Sequence, residues 1–267
     1  MLGAIIGDVV GSRFEFHNIR SKDFVFFHPD CFFTDDTVMT CAAAQALLDA
    51  EGDPERLKRL AVSVLHDFGN LYPGRGYGGR FSAWLDSPDP KPYHSFGNGA
   101  AMRGSPVGWA AKTEEEAKRL SRIVTEITHD HPEGLRGAEA VAMCIFLARE
   151  GKTNTEIRNY VDGHYFRLDF SLSDIRDTYG FDETCQESVP QAITAFLESE
   201  GFEDSVRNAV SIGGDSDTIA AIAGSIAEAR YGIPEDFRKL IFGYLDDRLS
   251  ELVRRFENLY PPIPGRM

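Results

Sequence analysis

Two short clusters of acidic and hydroxyl-bearing residues could do chemistry together if the fold brings them to one place. Each opens an Ala-rich apolar run: FTDDTVMT supplies Thr34, Asp35 and Asp36, and GGDSDTIAA supplies Asp215, Asp217 and Thr218. Four carboxylates at one site would repel one another, so a cation would have to lie between them. Carboxylate and hydroxyl oxygens are hard ligands that suit Mg²⁺, Mn²⁺ or Ca²⁺ better than zinc.

Helix capping is the simpler interpretation of either cluster taken alone. Asp, Ser and Thr are preferred N-cap residues, because their oxygens accept hydrogen bonds from the first free N–H groups of a helix. A cap needs one acceptor, however, whereas each cluster offers two carboxylates and a hydroxyl. Gly213 and Gly214 also leave the chain free to bend around a ligand just before Asp215. The two clusters together favour a cation site, with capping as the alternative.

Helices are the elements expected to position these clusters. Gly3, Gly7 and Gly11 recur on one helical face, which would let another helix approach closely. Apolar residues recur with helical spacing in seven further segments: 38–48, 57–68, 135–147, 189–197, 206–210, 219–229 and 237–259. The best strand candidate, residues 25–33, contains Pro29, which argues against a central strand. The sequence therefore predicts an all-α fold, with residues 1–267 in a single compact multi-helix domain.

Composition and charge narrow the class of protein. The formal net charge is −14 and no Lys/Arg-rich run is present, so we expect no nucleic-acid binding. No apolar stretch approaches the length of about 20 residues that a membrane span needs. The four cysteines form no CxxC pair, and Cys41 and Cys144 lie in apolar helical runs, which predicts buried free thiols. We therefore expect a cytoplasmic protein, and a monomer.

Five blocks of the sequence resemble the ADP-ribosylglycohydrolases. They run in order along the chain: GAIIGDVVGSRFE, FTDDTVMT, SFGNGAAMR, THDHPEG and GGDSDTIAAIAGSIAEARYG. The resemblance implies an all-α fold with two Mg²⁺ or Mn²⁺ ions at its centre. It also implies that the ions are held by Thr34, Asp35, Asp36, Asp215, Asp217 and Thr218.

The resemblance also gives roles to residues that are ambiguous by themselves. Glu15 could be a solvated glutamate at a helix end, but in the family a glutamate here lies beside the metals and acts in catalysis or gates the substrate. The glycine loop in SFGNGAAMR could be a simple turn. The resemblance instead implies that this loop binds the diphosphate of ADP-ribose, with Arg103 as a supporting charge. The implied substrate-binding residues are Gly97, Asn98, Gly99, Ala100, His129, Gly213 and Gly214.

Two neighbouring motifs have structural explanations as well. In THDHPEG, Asp130 and Glu133 have the spacing of a capping box, with Pro132 in the first turn. His129 and His131 make a weak zinc site, since no third ligand lies nearby in the sequence. The segment from Tyr77 to Phe81 could line the same cleft or form a surface turn.

The expected activity is hydrolysis of the bond between C1″ of ADP-ribose and an acceptor. Glu15, Asp35 and Asp36 are the candidate catalytic carboxylates. The substrate would be an ADP-ribosylated protein or a small ADP-ribosyl conjugate, and the sequence does not identify the acceptor. Two alternatives remain open: a Mg²⁺-dependent all-α enzyme of the prenyl-diphosphate type, and a non-catalytic relative that binds ADP-ribose.

Overall fold

The fold consists of α-helices connected by loops. The computed structural model describes residues 1–262, and within that range the only β-type pairing is a single bridge between Gly97 and Thr184. The predicted all-α class is confirmed. The helices are α1 (Leu2–Gly11), α2 (Asp35–Ala50), α3 (Pro54–Leu71), α4 (Gly79–Leu85), α5 (Gly99–Met102), α6 (Ser105–Ala110), α7 (Glu114–Thr125), α8 (Pro132–Arg149), α9 (Asn154–His164), α10 (Leu172–Ile175), α11 (Cys185–Leu197), α12 (Phe202–Ser211), α13 (Ser216–Tyr231), α14 (Glu235–Ile241) and α15 (Asp247–Leu259).

Helical periodicity located most of the long helices, but one segment was predicted wrongly. Residues 237–259 do not form one helix: α14 ends at Ile241 and α15 begins at Asp247. The Asp246 side chain accepts a hydrogen bond from the backbone N–H of Leu249 at 2.8 Å, which caps the start of α15. Apolar residues continue through the break with nearly helical spacing, so periodicity alone did not reveal it.

Helices α1 and α13 form the centre of the molecule. Every residue of α1 is buried, and so is α13 from Ser216 to Ala229. The glycine face of α1 lies directly against α13, as the spacing predicted. A methyl group at Gly7 would overlap the carbonyl of Ala220, and one at Gly11 would lie 2.5 Å from the Cα of Asp217. This close packing fixes the start of α13 beside the end of α1.

The remaining helices surround this pair and share one apolar core. Buried apolar side chains from nearly all the helices join in a single cluster, which is consistent with one compact domain. All four cysteines are free and buried, as predicted for Cys41 and Cys144. The strand candidate at 25–33 is an irregular segment, and Phe26 stacks on Phe237 of α14 with ring centroids 4.8 Å apart. None of the helices within residues 1–262 combines the length and apolar character that a membrane crossing requires.

Candidate active site

The N-termini of α2 and α13 meet, and this brings the two acidic clusters together. The hydroxyl of Thr218 in the first turn of α13 donates a hydrogen bond to Oδ2 of Asp36 at 3.0 Å. One oxygen atom from each of Glu15, Asp215 and Asp217 can be chosen so that all three lie within 4.8 Å of one another. The helix ends therefore converge on one cleft, and Glu15 joins them from the loop that follows α1.

Capping does not account for the carboxylates. The N-cap of α2 is Thr34, whose hydroxyl accepts a hydrogen bond from the backbone N–H of Asp36 at 3.3 Å. Asp215 stands at the N-cap of α13 but makes no capping hydrogen bond through its side chain. Oδ1 of Asp36 and Oδ1 of Asp217 are buried without any hydrogen-bond partner within residues 1–262. A buried carboxylate oxygen without a partner is costly, so these two atoms call for a ligand.

No protein cation neutralises the cluster within the described part of the chain. The ion pairs there include none of the cleft carboxylates Glu15, Asp35, Asp36, Asp215 and Asp217. Burial is the largest cause of a raised pKa at each of them, and neighbouring carboxylates add to it. The pKa rises to about 6 for Asp215 and about 7 for Glu15, and lies well above the usual range for Asp35, Asp36 and Asp217. The donor set is all oxygen and strongly negative, so it fits a hard divalent cation.

Asp8 lies in α1 and supports the site through hydrogen bonds to the start of α2, a role that was not predicted from the sequence. It is fully buried in α1 and accepts hydrogen bonds from the backbone N–H groups of Thr34 and Thr37, each at 3.0 Å. The hydroxyls of the same two threonines also donate to it. Burial raises the pKa of Asp8 to about 6, although these hydrogen bonds oppose the rise. Asp8 therefore holds the start of α2 in place. The sequence feature that could have revealed this role is its position as a single charged residue within an apolar helix with glycines on one face.

Asn18 is a second residue that the sequence did not reveal. Its side-chain amide donates to the carbonyl of Gly214 at 2.9 Å and accepts from the N–H of Gly214 at 2.8 Å. The same amide donates to the carbonyl of Phe14. These bonds tie the loop that carries Glu15 to the turn that precedes α13. Glu15 is thereby held next to Asp215 and Asp217.

The opposite wall of the cleft is built from the glycine loop and His129. Gly97, Asn98, Gly99 and His129 line a cavity of about 210 Å³ together with the cleft carboxylates. Asn98 donates its side-chain N–H to Oδ2 of Asp215 at 2.6 Å, so this wall is connected to the acidic wall. Gly78, Gly79, Arg80 and Phe81 also line the cavity, at the start of α4.

Three predicted substrate-binding residues lie beside the cleft without lining it. Ala100 is completely buried within α5. Gly213 and Gly214 both have positive φ, at 69° and 74°, which suits the tight turn expected there. A side chain at Gly213 would meet Arg20, and one at Gly214 would meet the ring of Tyr179. These glycines shape the turn before Asp215.

The predicted capping box at Asp130 and Glu133 is wrong. The N-cap of α8 is His131, whose Nδ1 accepts a hydrogen bond from the N–H of Glu133 at 3.1 Å. Asp130 instead accepts from the backbone N–H of His94 at 2.7 Å. Pro132 occupies the first turn of α8, as expected.

The fold and the cleft together define an all-α protein with an acidic wall and a glycine-loop wall facing each other. Comparison with known proteins identifies the family to which this chain belongs. The family model for ADP-ribosylglycohydrolase matches residues 1–263. The chain belongs to the ADP-ribosylglycohydrolase family and is an enzyme of that family.

Individual relatives cover nearly the whole chain. Human ADP-ribosylhydrolase ARH3 is 28% identical, and the match covers 96% of this chain and 92% of that protein. The mouse protein of the same name is 27% identical, covering 96% of this chain and 90% of its own. A solved structure described as an ADP-ribosylglycohydrolase-related protein complex has a TM-score of 0.68 at 23% identity. That match covers 96% of this chain and 95% of the other, and it confirms the fold.

Proposed function

We propose that the protein hydrolyses the bond between C1″ of ADP-ribose and an acceptor, and that it needs divalent cations to do so. The observation that carries the proposal is the pair of buried, unpartnered oxygens, Oδ1 of Asp36 and Oδ1 of Asp217, in a cleft whose carboxylates form no ion pair within residues 1–262. Family membership and the names of the relatives supply the substrate class. The substrate is an ADP-ribosylated protein side chain or a small ADP-ribosyl conjugate.

The residues that would hold two Mg²⁺ or Mn²⁺ ions come from both helix starts. Asp36 and Asp217 offer their free oxygens, and Asp35 and Asp215 lie next to them in the cleft. Thr34 and Thr218 each donate their hydroxyl proton to a carboxylate, which leaves a lone pair on the hydroxyl oxygen for a cation. Bound divalent cations would supply Lewis-acid chemistry and orient ribose hydroxyls and water.

Glu15 is the residue best placed to move a proton. It is only partly buried and lines the cleft beside Asp215 and Asp217. As general base, its carboxylate would take a proton from the water that attacks C1″. As the oxygen of the water bonds to C1″, the C1″–acceptor bond breaks, and the proton that Glu15 took from the water passes to the leaving acceptor, so that ADP-ribose and the free acceptor are the products. Asp35 is the other partly exposed carboxylate that could take this role.

The glycine loop and His129 would bind the diphosphate end of the substrate. Gly97 and Gly99 carry no side chain toward the cavity, and both lie next to Nε2 of His129. The hydrogen bond from Asn98 to Asp215 connects this part of the cleft with the carboxylates. Distal ribose and diphosphate would therefore be fixed by two walls that are directly bonded to each other.

Two other functions were compatible with the sequence. The whole-chain family match argues against a prenyl-diphosphate enzyme. The presence of all six side chains of the proposed metal site, Thr34, Asp35, Asp36, Asp215, Asp217 and Thr218, argues against a non-catalytic relative.

The direct test is release of ADP-ribose from a panel of defined conjugates, with arginine, serine, a nucleobase and a small metabolite as acceptors. We expect turnover of at least one conjugate, its loss in EDTA and its recovery with excess Mg²⁺ or Mn²⁺. Full activity in excess chelator would refute the metal requirement. No release from any conjugate, in a folded protein with either cation, would refute the proposed hydrolase.

A further inference from the structure

A buried guanidinium lines the same cavity as the glycine loop and His129, and the proposed reaction gives it no role. Arg103 follows directly after α5 and is only 1% exposed. No ion pair within residues 1–262 includes it. Its Nη2 donates to the hydroxyl of Thr128 and lies 3.2 Å from Nδ1 of His129. A buried cation bonded to a hydroxyl and an imidazole, with no carboxylate, is costly and calls for an explanation.

The chemistry of these three side chains determines which ring nitrogen of His129 accepts a hydrogen bond. A guanidinium has N–H donors and no acceptor, so Arg103 can only donate. The Thr128 oxygen accepts from Arg103, and its own proton has two acceptors in reach: Nδ1 of His129 at 2.7 Å and, farther away, the carbonyl of Thr125 at 3.4 Å. Arg103 presents an N–H donor to Nδ1 wherever the Thr128 proton points, so Nδ1 must accept. In a neutral imidazole this places the proton on Nε2.

Because Nδ1 accepts a hydrogen bond, the His129 ring carries a single proton and is neutral. Burial lowers its pKa well below the usual range, and the positive charges of Arg103 and Arg80 lower it further. Its Nε2 faces the loop: a Cβ added at Gly97 or Gly99 would lie 3.7 Å or 3.6 Å from this atom. The ring thus directs an N–H donor toward the cavity.

We infer that Arg103 is a positioning residue that acts directly on Nδ1, and through Thr128, to hold His129 with its proton on Nε2, so that the ring donates a hydrogen bond to the ligand. For the identity of that ligand the inference rests on the proposed function: ADP-ribose offers phosphate oxygens, ribose oxygens and ring nitrogens as acceptors. A carboxylate in place of Arg103 would draw the proton to Nδ1 and leave a lone pair on Nε2. That lone pair would repel an anionic ligand, and the arginine prevents this arrangement.

The first experiment reads the tautomer in the ligand-free protein. In long-range ¹H–¹⁵N spectra of the histidine-labelled wild type, we expect His129 to show a protonated Nε2 and an unprotonated Nδ1. The signals are assigned by their loss in His129→Phe. A protonated Nδ1 in the wild type would overturn the inference without any variant of Arg103.

The second experiment removes the N–H donors of Arg103 by substitution with methionine. In Arg103→Met, the Thr128 hydroxyl can either donate or accept, so we expect a mixture of both His129 tautomers. Affinity for ADP-ribose, measured by calorimetry, should fall by the reciprocal of the fraction of His129 that keeps its proton on Nε2, which is about twofold for an equal mixture. Arg149→Met is the matched control, since Arg149 is half-buried, bonds the carbonyls of Gly108 and Ala111, and lies outside the cleft. It should change neither the tautomer nor the affinity.

A double-mutant cycle separates action through His129 from a direct effect of the charge. In the His129→Phe background, Arg103→Met should leave the affinity for ADP-ribose unchanged. The same loss in that background as in the presence of His129 would overturn the inference, because Arg103 would then act on the ligand without the histidine. If wild type binds no ADP-ribose at all, the proposed function fails, while the tautomer measurement still decides the role of Arg103.

Discussion

At the scale of single residues, hydrogen bonding separates the carboxylates into two kinds. Asp8 accepts from two backbone N–H groups and two hydroxyls, so its charge is fully satisfied by the protein. Asp36 receives one hydroxyl on Oδ2 and nothing from residues 1–262 on Oδ1. Both are buried, but only Asp36 keeps an oxygen available to a ligand. This contrast predicts a structural role for Asp8 and supports the proposed role of Asp36 as a metal ligand.

Asp8→Asn should therefore destabilise the protein. An amide has donor N–H groups on one side, and these would face the donors of Thr34 or Thr37. We expect the free energy of unfolding in EDTA to fall by about 1–3 kcal/mol, the cost of a buried donor left without an acceptor. Urea unfolding followed by circular dichroism measures it. An unchanged midpoint would show that Asp8 does not hold the start of α2.

Glu15→Gln should separate catalysis from binding. The amide keeps the shape of the side chain but cannot accept a proton from water. We expect ADP-ribose affinity to stay within a few-fold of wild type while turnover falls by about 10²–10⁴, as for a lost acid–base group. Calorimetry and single-turnover assays on the best conjugate measure the two effects. Wild-type turnover in this variant would transfer the proton-carrying role to Asp35.

At the scale of elements, the site depends on how closely α1 and α13 approach. The start of α13 carries Asp217 and Thr218, and the glycine face of α1 leaves no space between the two helices. The loop after α1 then brings Glu15 to the same place, and Asn18 fastens it to Gly214. The glycines of α1 therefore contribute to function without touching the cleft.

Gly7→Ala tests this packing. The added methyl would overlap the backbone carbonyl of Ala220, so one helix must move. We expect a loss of about 1–3 kcal/mol or more in the free energy of unfolding, together with weaker cation binding. Gly163→Ala in α9 is the matched control, because nothing lies within 4 Å of the added methyl. That variant should be stabilised by up to about 1 kcal/mol, and equal effects in both proteins would refute the packing account.

The sequence predicted a feature of the fold or the site correctly when the residues that form this feature are close together in the chain. The possible metal ligands in the clusters at Asp35 and Asp215 are adjacent in the sequence, so both clusters could be recognised there. The glycine spacing of α1 predicted the close helix contact. Asp8 was missed because its partners, Thr34 and Thr37, are 26 and 29 residues away and only the fold joins them. The α8 cap was misplaced because His131, which is not a preferred N-cap residue, supplies the acceptor.

At the scale of the whole molecule, the buried carboxylates link stability to pH. A carboxyl group whose pKa is raised by folding stabilises the fold at pH values below its unfolded pKa, near 4. That contribution is lost as pH rises through the folded pKa, which is about 6 for Asp8 and Asp215 and about 7 for Glu15. Metal-free protein should therefore become less stable as pH rises from about 5 to 8.

Melting curves in EDTA across this pH interval measure the effect. Each carboxyl group still protonated in the fold contributes a slope of up to about 1.4 kcal/mol per pH unit. The same series with saturating Mg²⁺ is the control, since a bound cation favours the ionised carboxylates and should remove or reverse the decline. A melting temperature that rises steadily from pH 5 to 8 in EDTA would contradict the electrostatic account.

The central claim is that the two acidic clusters form one cation site, and the response of stability to Mg²⁺ tests it most directly. Like charges 4.8 Å apart, the span of the Glu15, Asp215 and Asp217 oxygens, repel by roughly 3–4 kcal/mol at an effective dielectric of about 20. Cations that bind only the folded form at a hundred times their Kd should stabilise it by about 2.7 kcal/mol per site, and so raise the Tm of wild type by about 5 °C or more. Asp36→Asn should be at least as stable as wild type in EDTA, because it removes one repelling charge, and should gain much less from Mg²⁺. If the Tm of wild type is the same in EDTA and in saturating Mg²⁺ or Mn²⁺, the carboxylates of α2 and α13 do not share a cation and the account is wrong.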